Sequence, residues 1–414
     1  MNKRRAMRFY LLLVVVIIAG CTNKRDDSFS LSVQELPSPA GPGSGEPNLF
    51  TASDGRIFLS WLEPMGNNRH VLRFAIREAR TWSSPQTIAD GQNWFVNWAD
   101  FPSLVASNRA LAAHWLAKSG DGAYAYHVNI AQSFDGGATW SKPIVPHRDK
   151  TPTEHGFVSM LPWTNDRFLA IWLDGRNFVA PHSNHGDEHF ATEEMTLRGA
   201  TIDNNGELHD ETLLDARVCD CCQTSAALTV DGVIAVYRDR SPEEIRDISI
   251  VRFQNGRWTE PRTVYDDGWK HQGCPVNGPA VVAEGKRVAV AWFTMANDTP
   301  RVKIAFSNDG AATFDQPIAV DDGNPIGRVD LVLLSQNAAL VSWMEQMEND
   351  ATIRVRRVYA DGRRSESVRL AESSTERASG FPQMTSNGSE IVFAWSVPGN
   401  PSTLRTAAAK FMND

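Results

Sequence analysis

A short apolar segment that ends in an aromatic residue recurs seven times along this chain. The seven aromatic residues stand 51 to 65 residues apart, at Trp61, Trp115, Trp172, Tyr237, Trp292, Trp343 and Trp395. A near-constant period of this length indicates one supersecondary unit repeated along the chain. The sequence therefore predicts a single repetitive domain, although 414 residues would suggest two or three domains by length alone.

Each repeat is composed of short strand-like segments. One segment precedes the aromatic strand, an alternating segment such as 248–253 follows it, and a fourth opens with an aromatic residue close before a proline, as in Trp140 and Pro143. Alternating short strands with turn residues between them indicate an all-β chain. Four-stranded sheets repeated radially are the blades of a β-propeller. We therefore predict seven four-stranded blades, with a six-bladed propeller as the alternative.

The seventh repeat ends after three strands, the last of them at residues 404–411. The N-terminal segment 29–33 alternates in the way a strand does and can supply the missing fourth strand. Such pairing closes the ring and removes an open sheet edge. We therefore expect residues 29–414 to form one propeller domain.

The first 20 residues have the pattern of a bacterial lipoprotein signal. Four basic residues are followed by an apolar run at 10–19 and then by Ala19, Gly20 and Cys21. The run is shorter than the ~20 residues of a membrane span but suits a signal-peptide core. This pattern resembles a lipobox, which implies lipidation of Cys21, with residues 21–28 as a tether. The alternative is an ordinary secretory signal followed by a cysteine by chance.

The charge of the chain limits its partners. The formal net charge is −8, and removal of a basic leader makes the mature chain more negative. An acidic chain is a poor partner for nucleic acid or an anionic membrane surface, so the lipid is the expected membrane contact. The lipoprotein resemblance implies that Thr22, the residue after the cysteine, favours location in the outer membrane over retention in the inner membrane. The expected partners are a glycan, a small ligand or another envelope protein.

Two segments resemble the Asp-box, or BNR repeat, of the sialidase family. The first matches every signature position and the second is a degenerate copy; their residues are Ser133, Asp135, Gly137, Thr139 and Trp140, and Ser307, Asp309, Thr313 and Phe314. We expect structural roles for them, because short polar side chains bond turn backbone and the aromatic packs between sheets. The resemblance implies a sialidase-like propeller over most of the mature chain.

The same resemblance implies a set of catalytic candidates. Sialidases hold a sugar carboxylate with three arginines, since guanidinium groups bind carboxylates bidentately, and use a tyrosine assisted by a glutamate with an aspartate as acid and base. The candidates here are Asp100, Arg176, Arg238 and Arg240, with Arg328 and Arg377 from later blades. The first-blade arginine motif of sialidases is absent near residues 43–47, and the late blades offer no tyrosine and glutamate pair.

The remaining cysteines fall on one predicted face. In a propeller, the loop before each inner strand and the loop joining the second and third strands share a face, here called the loop face. The blade assignment places these residues on it: His155, Cys219, Cys221, Cys222, His271 and Cys274. The long loop of blade three adds His182, His185 and His189.

Two chemistries are open for this cluster. Thiolates with imidazoles suit Cu or Zn, whereas an oxidising periplasm favours disulfides, and four cysteines allow three pairings. The sequence therefore predicts an envelope protein that binds a ligand or a metal ion on the loop face of blades two to five. A glycoside hydrolase is the alternative.

Overall fold

The computed structural model describes residues 29–164, 167–178, 194–335, 337–348 and 350–411. These residues form β-strands apart from loops and three short 3₁₀ turns, at Arg176–Phe178, Ala296–Asp298 and Arg377–Ser379. The strands make seven antiparallel sheets. The inner strand of each sheet contacts that of the next, and the seventh contacts the first. The prediction of a seven-bladed all-β propeller is confirmed.

Strands are numbered in chain order and run outward from the axis within each blade. Blade one contains β2 (Gly45–Thr51), β3 (Ile57–Pro64), β4 (Arg69–Ile76) and β5 (Gln86–Gln92). Blade two contains β6 (Ser103–Ala106), β7 (Leu111–Lys118) and β8 (Tyr126–Ser133). Blade three contains β9 (His155–Thr164), β10 (Arg167–Asp174), β11 (Met195–Asp203) and β12 (Leu208–Val218). An isolated bridge between Ile130 and Ile144 marks the outer position of blade two.

The later blades follow the same plan. Blade four contains β13 (Ser225–Thr229), β14 (Gly232–Arg238), β15 (Ile248–Gln254), β16 (Arg257–Trp258) and β17 (Arg262–Tyr265). Blade five contains β18 (Ala280–Glu284), β19 (Arg287–Thr294), β20 (Arg301–Ser307) and β21 (Ile318–Ala319). Blade six contains β22 (Pro325–Leu334), β23 (Ala338–Gln346), β24 (Ala351–Tyr359) and β25 (Val368–Ser373). Blade seven contains β26 (Gln383–Ser386), β27 (Ile391–Val397) and β28 (Thr403–Phe411).

The N-terminal strand β1 (Leu31–Leu36) completes blade seven. It pairs antiparallel with the last strand, from Leu31 opposite Phe411 to Leu36 opposite Thr406. Phe29 and Leu31 also pack against the hydrophobic cluster between blades six and seven. The two ends of the propeller chain therefore share one sheet, which leaves no unpaired edge on β28. In the described residues, no helix is long and apolar enough to span a membrane.

The recurring aromatic residues explain why the ring is stable. All seven are buried, and each lies in a hydrophobic cluster between its own blade and the preceding one. Burying one such side chain contributes about 2–3 kcal/mol. Three of the indoles also donate a hydrogen bond to the carboxylate two residues further on, in the pairs Trp61–Glu63, Trp172–Asp174 and Trp343–Glu345. Each repeat thus seals one interface between blades.

The two Asp-box-like turns have nearly the same hydrogen bonds. Asp135 Oδ1 accepts bonds from the Thr139 amide and the Ser133 hydroxyl, each at 2.9 Å. The Thr139 hydroxyl also donates a bond, to Asp135 Oδ2. This bond lowers the pKa of Asp135 most, and the three bonds together hold it at about 2. Asp309 accepts the equivalent bonds from Ser307 and Thr313. A Cβ at Gly137, where φ is +96°, would collide with the Phe74 ring of blade one, which explains the glycine.

The axis of the propeller holds a channel of about 1220 Å³ lined by the inner strands of all seven blades. Its end at the loop face is filled by aromatic residues. Trp98 stacks on Phe381 at 5.8 Å between ring centroids, and the Arg328 guanidinium lies 4.8 Å from the Trp98 ring centroid. Groups on the loop face therefore surround an apolar plug.

Candidate functional site

The loop face of blades two to five brings three polar clusters close together. The carboxyl–phenol cluster consists of Asp100, Tyr126 and Glu154. The thiol cluster consists of Cys219, Cys221 and Cys222, with Asp220 and Cys274 beside it. The histidine cluster consists of His127, His147 and His155, with Asp149 beside it. Glu154 connects them: it precedes His155 in the chain, and the negative charges of Asp220 and Cys219 act on its pKa.

In the carboxyl–phenol cluster, one hydroxyl contacts two acids. The Tyr126 hydroxyl lies 3.0 Å from Asp100 Oδ2 and 2.8 Å from Glu154 Oε1. A phenol has one proton, so it donates to one carboxyl group and accepts from the other, which must be protonated. Burial raises the pKa of Asp100 to about 7 and that of Glu154 to about 8. The cluster therefore holds an exchangeable proton near neutral pH.

The backbone fits around Asp100. Its Oδ1 accepts a 2.7 Å bond from the Phe157 amide, at the start of β9. A Cβ at Gly156 would collide with Asp100 Oδ2, so no larger residue fits there. Phe157 itself has a φ of +51°, a conformation uncommon for bulky residues. The chain is thus strained locally to place an amide against this buried carboxyl group.

The thiol cluster occupies the loop between β12 and β13. Cys219 and Cys222 are buried and Cys221 is half-buried. Cys219 Sγ lies 3.8 Å from Cys221 Sγ and 3.5 Å from Cys222 Sγ, whereas a disulfide needs about 2.05 Å. Hydrogen bonds from the other two thiols hold the pKa of Cys219 well below its usual value. The arrangement is a thiolate surrounded by thiols.

Cys274 approaches this cluster from blade five. It is exposed, and its thiol donates to Asp220 Oδ1 at 3.9 Å. One ligand atom each from Asp220, Cys221 and Cys274 lie within 4.8 Å of one another. A polar hollow of about 340 Å³ opens beside them, lined by Asp220, Arg240, Glu244, Arg246, Gln272, Gly273 and Cys274. The thiol cluster is therefore reachable from solvent through the Cys274 side.

The predicted arginines lie in different surroundings. Arg238 is buried and donates to the backbone carbonyls of Asn277, Arg246 and Phe293. Arg328 is buried in the axial plug, where it donates to the Gly380 carbonyl at 2.9 Å. Both guanidinium groups are thereby bound to backbone carbonyls, and the structure does not bring them together on a common ligand position.

Arg176 and Arg240 lie nearer to solvent, each in an ion pair. Arg176 makes two 2.7 Å bonds to Asp174 and one of 2.9 Å to Glu211. Arg240 bonds Glu244 with Nη2 at 3.0 Å and borders the polar hollow. Arg377 is exposed on a 3₁₀ turn of blade seven.

The predicted metal ligands separate into different groups. The four cysteines gather as described, but His155 belongs to the histidine cluster. The His271 ring stacks on Trp269, with 5.3 Å between ring centroids, and joins no group of candidate ligands in the described part of the chain. His182, His185 and His189 lie outside the described residues, as does Cys21.

Sequence reasoning missed Tyr126, Glu154, His127 and His147. A signal was available, because the blade frame places 126–127 at the start of a third strand and 147–154 before an inner strand. Both positions belong to the loop face. The chain spacing did not reveal which of these side chains point toward one another, since they come from two blades.

No family model and no curated protein matches this chain. Among solved structures, a PL25 ulvan lyase bound to -[GlcA(1-4)Rha3S]- aligns with a TM-score of 0.57 at 11% identity, over 90% of this chain and 95% of that one. A Dyadobacter fermentans protein of unknown function aligns with a TM-score of 0.52 at 14% identity, over 92% and 99%. The Ruminococcus gnavus intramolecular trans-sialidase reaches 0.47 at 12% identity, over 78% and 95%, which is too low to support an argument.

These likenesses concern the fold. The ulvan lyase shares the fold of this chain, and a shared fold at this identity does not carry an activity with it. This chain is a seven-bladed β-propeller.

Proposed function

We propose that this protein is a lipid-anchored protein of the cell envelope that binds a soft metal ion, Cu(I) or Zn(II), on its loop face. The thiol cluster supports this proposal, through one observation above all. Two sulfur–sulfur distances of 3.5 and 3.8 Å are close to the ~3.8 Å that separates two sulfurs bound tetrahedrally at about 2.3 Å to one ion. The lipid anchor at Cys21 and the outer-membrane location are supported by the N-terminal sequence.

The surroundings of the sulfurs suit a cationic ligand. Cys219 is the thiolate and Cys221 and Cys222 are thiols beside it, so an ion that binds all three sulfurs takes the place of the two thiol protons. The Asn277 amide already donates to Cys222 Sγ at 3.4 Å, which orients that sulfur. Cys274 is in position to be a fourth ligand, because its sulfur can approach Cys221 from the solvent side. Arg246, which bonds Glu244 at 2.8 Å, helps to lower the pKa of Cys219 and so favours the thiolate that binds a metal ion.

The experiment is a metal and thiol count on the purified mature protein. We expect about one equivalent of Cu or Zn on the thiol cluster and four thiols that react only after chelation. Cys222→Ser lowers the bound metal by about one equivalent, because it removes a buried ligand. Gln272→Ala, which lies in the same hollow without a sulfur, is the matched control and keeps the metal. A protein with neither metal nor free thiols contains disulfides instead, and that result rejects the metal site.

A second candidate function is cleavage of a glycan, which the carboxyl–phenol cluster favours. Glu154 is half-buried, and its pKa of about 8 keeps it protonated at neutral pH, as a general acid must be. Its phenol partner Tyr126 and the Asp100 acid lie beside it, and the ulvan lyase that shares this fold is bound to a glycan. Loss of the acid costs about 10²- to 10⁴-fold in rate.

The test is a screen of acidic and neutral polysaccharides and glycosides with the purified protein. On any substrate that is cleaved, we expect Glu154→Gln to lower kcat by at least about 100-fold. Arg369→Gln, an exposed change on β25 of blade six, leaves kcat unaltered. Equal kcat values for the wild type and Glu154→Gln exclude Glu154 as the acid.

A further inference from the structure

The histidine cluster contains buried ring nitrogens without hydrogen-bond partners. His147 is 4% exposed, and neither its Nδ1 nor its Nε2 has a partner within hydrogen-bond distance, although Nδ1 lies 3.6 Å from Asp149 Oδ2; His127 Nδ1 is also buried and makes no hydrogen bond. Leaving one such polar atom unpaired costs about 1–3 kcal/mol. Three unpaired nitrogens at one place therefore indicate that something binds there.

The three rings lie close together. One ring nitrogen from each of His127, His147 and His155 lies within 4.8 Å of the others. The His147 and His155 rings are parallel within 2°, with centroids 3.6 Å apart. Two nitrogens bound tetrahedrally to one ion at 2.0–2.1 Å are separated by about 3.3 Å. The nitrogens are close enough for this spacing, but the in-plane lone pairs of two stacked rings run parallel, so one ring turns out of the stack when both nitrogens bind one ion.

The hydrogen bonds of His155 point to the same conclusion. Its Nδ1 lies 3.1 Å from the Thr153 carbonyl oxygen, which can only accept, so Nδ1 carries the proton. In the neutral ring Nε2 then presents a lone pair to Asp149 Oδ2, 3.1 Å away. Two lone pairs at that distance repel unless a positive charge lies between them. A metal ion bound by both atoms satisfies this contact.

The carboxylate is already oriented for binding. Asp149 Oδ1 accepts bonds from the Thr151 amide and hydroxyl, at 2.8 and 2.6 Å, which leaves Oδ2 facing His147 and His155. Arg176 makes its shorter bonds to Asp174 and reaches Asp149 Oδ2 only at 3.4 Å. Outer contacts of this kind fix the ligands of metal sites.

We propose that His127, His147, His155 and Asp149 form a second metal site, for a divalent ion of the Zn(II) class. Three imidazoles and a carboxylate are borderline donors, unlike the soft sulfurs of the thiol cluster, and they match the ligand preference of Zn(II). The proposal does not depend on the thiol cluster binding metal. His127 is half-buried, which gives an ion a route from the loop face.

The experiment uses Co(II) as a spectroscopic probe for Zn(II). The full mature protein carrying Cys219→Ser, Cys221→Ser and Cys222→Ser is stripped with a chelator and titrated with Co(II), then with competing Zn(II). We expect one equivalent of Co(II) with weak visible bands and no near-ultraviolet thiolate charge transfer. Adding His147→Asn or His127→Asn weakens Co(II) binding at least about 100-fold.

His70→Asn is the matched control, because His70 is the second residue of β4 as His127 is of β8. It leaves the Co(II) titration unchanged. Far-ultraviolet circular dichroism establishes that each variant is folded. If the buried change His147→Asn prevents folding, the half-buried change His127→Asn tests the proposal in its place. A triple-serine variant that binds no Co(II), or that binds it equally with and without His127 and His147, overturns the proposal.

Discussion

Arg238→Ala lowers the free energy of unfolding by at least about 4 kcal/mol, with no ligand present. In the native protein the buried guanidinium bonds three backbone carbonyls, from residues 246, 277 and 293, and lies 4.8 Å from the Trp269 ring centroid. Each carbonyl left unpaired costs about 1–3 kcal/mol, and the lost ring contact adds to this. Urea unfolding followed by tryptophan fluorescence measures the change.

The matched control is Arg240→Ala, two residues further along the chain, in the loop that follows β14. Arg240 pairs with Glu244 at a partly exposed position, where such a pair contributes about 0–1 kcal/mol. Arg238→Lys keeps the charge but cannot reach three carbonyls, so it is destabilising as well, and it is measurable if the alanine variant does not fold. Wild-type stability in both Arg238 variants would show that this residue serves a ligand and not the fold.

The contrast between Arg238 and the aromatic repeat shows what the sequence can and cannot reveal. The aromatic residues recur at a fixed place in each blade, and a repeated apolar position has one physical use, burial between neighbours. The blade count, the strand order and the closure by β1 follow from that pattern. From the sequence alone, the Arg238 side chain could point to solvent or inward. It points inward because three backbone carbonyl oxygens accept hydrogen bonds from it, and the sequence does not show where those oxygens lie.

The site is harder to predict for the same reason. Tyr126 and His127 are adjacent in β8, yet they belong to different clusters, because successive strand residues point to opposite faces. Their partners Asp100, His147 and Glu154 come from loops whose course the repeat does not specify. Cys219, Cys221 and Cys222 were found because their closeness in the chain alone brings their sulfurs together.

Asp100→Asn raises the stability of the protein at pH 8 and leaves it nearly unchanged at pH 4. Burial raises the pKa of Asp100 in the folded chain from 3.8 to about 7. A raised folded-state pKa means that the protonated form is favoured by folding, so the contribution is fully present below pH 3.8 and is lost as the pH rises through 7. At about 1.4 kcal/mol per pKa unit, the loss reaches up to about 4 kcal/mol.

The amide reproduces the protonated acid at every pH. Its oxygen accepts from the Phe157 amide, and its nitrogen donates to the Tyr126 oxygen, so the Tyr126 proton is directed to Glu154. We therefore expect the wild type to lose stability between pH 4 and 7 relative to Asp100→Asn, as measured by urea unfolding with a chelator present throughout.

Asp309→Asn is the control: hydrogen bonds from Thr313 and Ser307 hold the pKa of Asp309 at about 2, so that variant loses stability at neutral pH. Parallel curves for the wild type and Asp100→Asn would mean that the pKa of Asp100 is the same in the folded and the unfolded chain, and then Tyr126 would donate its proton to Asp100 and accept one from Glu154.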